Sequence, residues 1–200
     1  MTRPPTAAPL RTRRQALLAG GALALSPLVR AQPSDSDFWR LLREGGCAVL
    51  MRHARTEPGV GDPPGFTLGQ CRTQRNLSAE GREQSRRVGQ VFQREGITLG
   101  AVRSSAWCRC TETAQLAFGR AEVWPALNSF FQGQGDDAAQ TRAVLQALAT
   151  LRAPANWMLV THQVNISALT GEFPAMGELF LVRPAPSPDG RLRVLARLLT

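Results

Sequence analysis

The chain contains two histidines, and each directly follows a run of residues that has the pattern of a buried strand. His53 follows the apolar segment 47–51 and the basic residue Arg52, and His162 follows the segment 157–161. Largely apolar runs of this length are typical of parallel strands that are buried on both faces. Because parallel strands bring their carboxyl ends to one edge of a sheet, where open α/β folds bind ligands, we expect the two imidazoles to meet there.

Strand and helix patterns alternate along the chain after residue 34. Helical spacing and capping residues predict helices at 38–44, 78–95, 106–118, 136–151 and 164–169. Strands are predicted at 47–51, 101–103, 121–124 and 157–161, with a hairpin at 179–182 and 192–195. This order predicts a three-layer α/β/α fold with a doubly wound, mostly parallel sheet and an antiparallel edge hairpin. Residues 54–76 show no periodicity, and a loop of that length in a compact domain is usually functional.

The first 31 residues have the composition of an export signal. They hold five arginines, including the pair Arg13 and Arg14, and no acid, and the apolar stretch 16–25 follows this pair. We predict a signal peptide of the twin-arginine type that is cleaved near Ala31, and one functional domain over 32–200. A general secretory signal stays open, and by either route the expected compartment is the periplasm. The apolar stretch is much shorter than the roughly 20 residues that span a bilayer, so we expect no stable membrane insertion.

The charge of the predicted mature domain favours a small anionic partner. The formal net charge of the chain is +9, and removal of residues 1–31 leaves a net charge of +4. The basic residues are all arginine and occur in predicted helices and loops alike. They form no clustered stripe with aromatic residues between them, so a nucleic acid is not an expected partner.

Four cysteines remain in the predicted mature domain, at positions 47, 71, 108 and 110. In an oxidising compartment they allow three disulfide pairings. Cys47 begins a predicted central strand and is expected to be a buried thiol. We expect a bridge from Cys71 to either Cys108 or Cys110, and we name Cys71 and Cys110 as the candidate pair. A zinc site at Cys108 and Cys110 is a competing hypothesis, although this spacing differs from the usual C-x2-C pattern.

Three residues near the predicted strand ends have side chains suited to phosphate chemistry. Arg52 carries a permanent charge on a planar fork of donors that matches phosphate or carboxylate. His53 can be neutral near pH 7 and present a ring nitrogen as a nucleophile, base or metal ligand. Arg109 lies in the first turn of a predicted helix, where backbone N–H groups favour an anion. Each residue also has a structural explanation, namely a core histidine with satisfied hydrogen bonds or a solvated arginine.

Four segments together resemble the histidine phosphatase superfamily, which has the phosphoglycerate-mutase-like fold. Residues 52–56 are similar to R-H-G-x-T, residues 77–85 to L-[ST]-x-x-G-x-x-Q-A, residues 104–114 to S-S-x-x-x-R-x-x-x-T-A, and residues 159–162 to the strand that carries the second histidine of the family. These segments occur in the family's order and span nearly all of the predicted mature domain. Four linked motifs are far more specific than an Arg-His pair alone.

The resemblance implies a phosphatase that acts through a phosphohistidine. His53 would attack phosphorus, while Arg52, Arg109 and a protonated His162 would bind the phosphoryl oxygens. The resemblance makes Thr56 and the N–H of Gln163 weaker candidates for phosphate contacts, and Arg55 could extend the pocket towards a more anionic substrate. It implies a small phosphorylated substrate and requires neither a metal nor another cofactor.

The chain departs from the family pattern at the proton donor. Segment 125–130 has no glutamate where the mutase branch carries its acid, and Gln163 stands where the acid-phosphatase branch has aspartate. The remaining candidate proton donors are Glu57, Asp136 and Asp137. Two further departures are Ala54, which replaces the glycine of the R-H-G motif, and Arg55, which stands where glutamate or glutamine is frequent.

Two functions are therefore compatible with the sequence. The first is an exported phosphatase that acts on a phosphomonoester or, like phosphohistidine phosphatases, on a phosphorylated histidine. The alternative is a non-catalytic accessory protein that binds phosphate or another anion and has lost the general acid. Aryl and acyl phosphates need little help from an acid, whereas an alkyl leaving group usually needs it.

Overall fold

A computed structural model of the chain describes residues 1–2, 35–186 and 190–200. Contacts divide the chain into Met1–Ala31 and Gln32–Thr200, and the fold below belongs to the second unit. Apart from its first two residues, the predicted signal peptide, with its cleavage position near Ala31, lies outside the described residues. Within the described ranges, none of the helices has the length and apolar character needed to cross a membrane.

The second unit has the predicted α/β architecture. Its helices are α1 (Asp35–Glu44), α2 (Ala79–Arg94), α3 (Cys108–Phe118), α4 (Asp137–Leu148) and α5 (Gln163–Thr170). Its strands are β1 (Ala48–Arg52), β2 (Ala101–Ser104), β3 (Glu122–Val123), β4 (Trp157–Thr161), β5 (Leu179–Pro186) and β6 (Leu192–Leu198). They form one sheet in the order β3-β2-β4-β1-β5-β6. The first four strands in this order are parallel, and β5 and β6 form the antiparallel edge hairpin.

Helices cover both faces of the sheet, which gives the predicted three layers. Val49 and Met51 of β1 pack with α1, α2 and α3 in one apolar core. Ala48 and Leu50 of the same strand pack with α4 and α5 in a second core on the opposite face. Successive side chains of a strand point to opposite faces, so an uninterrupted apolar run is what a sheet with two covered faces requires.

Two glycines of α2 allow close backbone contacts on either side of this helix. A Cβ atom on Gly81 would lie 1.8 Å from the carbonyl oxygen of Arg55, and one on Gly89 would lie 2.0 Å from that of Ala117 in α3. The predicted N-cap is confirmed, since the Ser78 hydroxyl accepts the N–H of Gly81. Helix α2 therefore lies directly against the segment that follows β1, where the first histidine is located.

Several element boundaries differ from the prediction by a few residues. Helix α3 begins at Cys108 rather than at 106, because Trp107 has an extended backbone and serves as the N-cap. Strand β3 is confined to Glu122–Val123 rather than 121–124, and α4 ends at Leu148 rather than 151. None of these shifts involves β1 or β4, the two strands that the histidines follow.

Candidate active site

The two histidines lie side by side at the carboxyl edge of the sheet, as predicted. Strands β1 and β4 are hydrogen-bonded neighbours with Arg52 opposite Thr161, so the residues that follow them are also opposite each other. The backbone N–H of His53 donates to the Thr161 carbonyl at 2.9 Å. The centroids of the His53 and His162 rings are 5.5 Å apart.

Hydrogen bonding assigns the proton of His53 to one ring nitrogen. Its Nδ1 lies 2.9 Å from the Ala54 carbonyl oxygen, which can only accept, so Nδ1 carries the proton and Nε2 carries the lone pair. The ring is 3% exposed. Burial, together with the positive charges of Arg109, Arg52 and Arg75, lowers the pKa of His53 to about 3, although the bond to Ala54 opposes this shift. His53 is therefore neutral, with a free lone pair on Nε2, throughout the physiological pH range.

His162 is held through its other nitrogen. Its Nε2 lies 2.8 Å from the Ser105 hydroxyl and 3.5 Å from the Cys110 thiol. The Ser105 hydroxyl is also within hydrogen-bond distance of Asn128 Oδ1 at 3.3 Å, and the Cys110 thiol of the Thr161 carbonyl at 3.7 Å, so either ring nitrogen of His162 can carry the proton. Burial and then the neighbouring His53 and Arg109 lower the pKa of His162 well below its usual value. His162 is therefore neutral in the free protein, since a buried ring among cations stays neutral, and its protonation beside a bound phosphate stays a prediction.

Arg52 and Arg109 each keep a buried donor without a partner. Arg52 donates from Nη1 to the Pro174 carbonyl at 2.9 Å, and Arg109 donates from Nη1 and Nη2 to the carboxylate of Asp62 at 2.7 and 3.2 Å. The Nε of each arginine is buried and has no hydrogen-bond partner among the described residues. Buried donors without partners are costly, and a bound oxyanion would satisfy both.

These side chains line a cavity of about 260 Å³. Its wall contains Arg52, His53, Gly59, Val60, Gly61, Asp62, Arg75, Arg109, Ser129, Phe131, Gln134, His162, Gln163, Val164 and Met176. Two charged members of this wall, Asp62 and Arg75, were not predicted from the sequence. Both lie in the aperiodic segment 54–76, whose length was the only sequence signal for them.

Two residues of the matching motifs hold the site together through hydrogen bonds. The Thr113 hydroxyl accepts the Ala54 N–H at 3.1 Å and donates to the Arg109 carbonyl at 2.6 Å. The Gln84 amide oxygen accepts the Arg55 N–H at 3.0 Å. Ala54 is fully buried, and its φ angle is not positive, so alanine replaces glycine here without backbone strain.

The weaker phosphate candidates are placed differently from one another. Gln163 lines the cavity as the first residue of α5. Thr56 does not line the cavity, and its hydroxyl accepts a hydrogen bond from Arg75, which does. Arg55 is exposed, pairs with Glu80 and does not line the cavity. The expectation that Arg55 extends the pocket is therefore wrong.

The three predicted proton donors also lie off the cavity wall. Glu57 is exposed on the loop after β1, and Asp136 and Asp137 are exposed at the start of α4. Asp136 caps this helix by accepting the Ala139 N–H at 2.8 Å. Among the lining residues of the described chain, Asp62 is the only carboxylate.

The disulfide joins Cys71 to Cys108, so the candidate pair Cys71 and Cys110 is wrong. Residues 108 and 110 are about 200° apart around a helix axis, so their side chains point in nearly opposite directions. Cys108 faces the loop, whereas Cys110 is fully buried as a free thiol beside His162. Because Cys108 is bridged, the Cys108 and Cys110 pair also does not offer two thiolates to zinc.

The family model described as histidine phosphatase superfamily, branch 1, matches residues 48–134. This range includes β1, both unpredicted residues of the cavity wall and the start of α3 with Arg109. No curated protein sequence matches the chain.

Several solved structures share the fold. The protein histidine phosphatase SixA complexed with tungstate has a TM-score of 0.54 at 19% identity, covering 76% of this chain and 96% of that chain. A proposed phosphohistidine phosphatase SixA from Agrobacterium tumefaciens gives a TM-score of 0.52 at 17% identity, with 78% and 99% covered. The protein TTHB049 from Thermus thermophilus gives 0.50 at 21% identity, with 77% and 99% covered. The family model covers 87 of the 200 residues, and the shared fold and the meeting of both histidines at one sheet edge agree with this match.

Proposed function

We propose that the protein is a phosphatase whose nucleophile is Nε2 of His53. The observation that carries this proposal is the neutral, buried His53 beside two arginines that each keep an unpartnered Nε–H. A lone pair next to fixed cationic donors is the arrangement that phosphoryl transfer to nitrogen requires. The cavity of about 260 Å³ around them suits the phosphoryl end of a small substrate.

In the proposed first step, the Nε2 lone pair attacks phosphorus and the bond from phosphorus to the leaving group breaks. The bonding electrons of that bond stay with the leaving group, and the phosphoryl group is held on His53. Arg52 and Arg109 donate to the phosphoryl oxygens, and His162 lines the same cavity. In the second step, water attacks phosphorus, the P–N bond breaks and inorganic phosphate leaves with neutral His53 regenerated.

The substrate class follows from the carboxylates of the cavity wall. Asp62 is the one carboxylate on the described wall, and hydrogen bonds from Arg109, Trp107 and the Arg75 backbone occupy it. No other carboxyl group on that wall is available to protonate a leaving group. We therefore propose substrates that leave readily, namely aryl, acyl or N-linked phosphoryl compounds. Two relatives with this fold are named as histidine or phosphohistidine phosphatases, which agrees with an N-linked substrate.

The same observation favours the second candidate, a non-catalytic protein that binds phosphate or a similar anion. A site with paired arginines and no available acid can bind an oxyanion without turning it over. The two candidates differ in whether His53 becomes phosphorylated.

The test uses the full chain with p-nitrophenyl phosphate, phosphoramidate and glycerol phosphate as aryl, N-linked and alkyl substrates. We expect turnover of the first two, little turnover of the third, and a loss of at least about 10³-fold in His53→Ala. Labelled phosphate should be trapped on wild type as an acid-labile adduct that is missing from His53→Ala. Because the proposed donors are guanidinium groups, EDTA is expected to leave the rate unchanged. Phosphate binding without turnover of any substrate would favour the accessory role instead.

We also propose that the domain over 32–200 acts outside the cytoplasm after removal of the twin-arginine segment 1–31. The bridge between Cys71 and Cys108 supports this proposal, since disulfides persist mainly in oxidising compartments. Mass spectrometry of the protein from a periplasmic extract is expected to show a chain that begins at Gln32. A full-length chain confined to the cytoplasm would contradict it.

A further inference from the structure

Asp62 is surrounded by donors although it lies in an irregular loop. Its Oδ1 accepts from Arg109 Nη1 at 2.7 Å and from the Arg75 backbone N–H at 2.9 Å. Its Oδ2 accepts from Arg109 Nη2 at 3.2 Å and from Trp107 Nε1 at 2.9 Å. The carboxylate thus accepts hydrogen bonds from its own loop, through the Arg75 backbone, and from the start of α3, through Trp107 and Arg109.

The pair that Asp62 forms with Arg109 is removed from solvent. The two side chains are 4% and 5% exposed. Two parallel N–H···O bonds fix the plane of a guanidinium as well as its position. Because Asp62 engages Nη1 and Nη2, the Nε–H lies on the edge that remains open, and this is the donor without a partner in the described chain.

The contacts of Asp62 argue against two other roles. Burial opposes its ionisation, but the hydrogen bonds from Arg109, the Arg75 N–H and Trp107 outweigh burial and lower the pKa of Asp62. An ionised carboxylate cannot donate a proton to a leaving group. Asp62 also does not fit the role of an anion that occupies the phosphate site until the substrate displaces it from Arg109. Displacement would leave a buried carboxylate without its arginine.

From this geometry we propose that Asp62 is a positioning residue for Arg109. It holds the guanidinium by one edge so that the other edge, with Nε, faces the phosphoryl oxygens beside His53. This inference rests on the phosphate site of the proposed function but not on turnover, since positioning affects phosphate binding whether or not hydrolysis follows. A phosphate-binding measurement therefore separates failure of this inference from failure of the proposed phosphatase activity.

The test is a double-mutant cycle on the full chain, read by calorimetric titration with inorganic phosphate. Asp62→Asn keeps the shape and one acceptor but removes the charge and one acceptor for Arg109. We expect it to weaken phosphate binding by about 10-fold or more when Arg109 is present. In the Arg109→Ala background the same change is expected to alter the dissociation constant by less than about twofold.

Two results would overturn the proposal. One is phosphate binding by Asp62→Asn that is as tight as, or tighter than, wild type, as a competing anion would give. The other is an equal loss in both backgrounds, which would show that Asp62 acts independently of Arg109. Glu83→Gln, an acid-to-amide change on the exposed face of α2, controls for the lost negative charge. If Asp62→Asn does not fold, Asp62→Glu replaces it in the same double-mutant cycle with Arg109→Ala. This variant keeps the charge but moves the carboxylate by one methylene.

Discussion

The hydroxyl of Thr113 lies 3.1 Å from the backbone nitrogen of Ala54 and accepts its N–H. The same hydroxyl donates to the carbonyl of Arg109, one turn earlier in α3, at 2.6 Å. The buried side chain of Thr113 thus links Ala54, the residue after His53, to the backbone of Arg109. The hydrogen bonds of Thr113 therefore hold the segment of His53, the proposed nucleophile, at a fixed distance from Arg109, a proposed phosphate-binding residue.

Thr113→Val should therefore lower both stability and turnover. Valine fills the same space but leaves the buried N–H of Ala54 unpaired, which costs about 1–3 kcal/mol of unfolding free energy. Turnover should fall further than the folded fraction explains, since His53 and Arg109 lose their common link. Denaturant unfolding and steady-state rates measure the two effects. The matched control is Thr111→Val, since the Thr111 hydroxyl bonds only carbonyls of its own first turn. Equal effects of the two variants on turnover would contradict this role.

Gly81→Ala and Gly89→Ala form a second matched pair within α2. Alanine is intrinsically better than glycine in a helix by about 1 kcal/mol, but at both positions its Cβ would meet a backbone carbonyl at 2.0 Å or less. Both variants are expected to lower the melting temperature. Only Gly81→Ala should also reduce kcat/KM of the folded protein, because it displaces the Arg55 carbonyl next to the His53 segment. A melting temperature at or above that of wild type in either variant would contradict the close contact.

The sequence patterns predicted the site residues that lie in or next to helices and strands. His53, His162 and Arg109 follow or begin elements whose apolar periodicity is visible, so their meeting at one edge could be predicted. Asp62 and Arg75 could not be predicted in this way. Their loop has no periodicity, and its path is set by contacts with residues far away in the sequence, among them the Cys71 bridge to α3 and the Asp62 pair with Arg109.

The proton-donor candidates failed for a related reason. Glu57, Asp136 and Asp137 are the candidates that remain once the two acid positions of the family are found empty, but chain position does not determine which way an exposed side chain points. The burial of His162, which lowers its pKa in the free protein, could not be predicted either, because it depends on the packing of α3 against β4. Likewise, the choice between Cys108 and Cys110 depended on which side of α3 faces the loop with Cys71, and packing rather than sequence spacing decides this.

Removal of the disulfide should destabilise the protein and loosen the cavity wall. The bridge closes a loop with a sequence separation of 37 residues, for which the chain-entropy model gives a stabilisation of roughly 4 kcal/mol. The double variant Cys71→Ser, Cys108→Ser should melt at a lower temperature and bind phosphate more weakly, because Cys71 anchors to α3 the segment 54–76, which carries Asp62 and Arg75. Dithiothreitol should reproduce this loss in wild type and have no effect on the double variant. An equal response of both proteins to dithiothreitol would show that the bridge is not its target.

The free energy of unfolding should fall at acid pH because the buried histidines resist protonation in the folded protein. Comparison of wild type with His53→Asn measures the part of this loss that His53 causes. The pKa of His53 is about 3 in the folded protein and near 6.5 in an unfolded chain, so above pH 6.5 the ring is neutral in both states. Between these two values the unfolded chain binds a proton that the folded protein does not bind. Stability therefore falls as the pH falls, by up to about 1.4 kcal/mol per pH unit for this residue.

The variant lacks this linkage while its carboxylates titrate as in wild type. Urea unfolding of both proteins at pH 7.5, 5.5 and 4.5 should therefore give free-energy curves that diverge below about pH 6.5, with wild type losing more stability. Curves that stay parallel down to pH 4.5 would show that His53 is protonated in the folded protein at that pH. A protonated ring has no lone pair on Nε2, so at that pH His53 could not attack phosphorus as proposed.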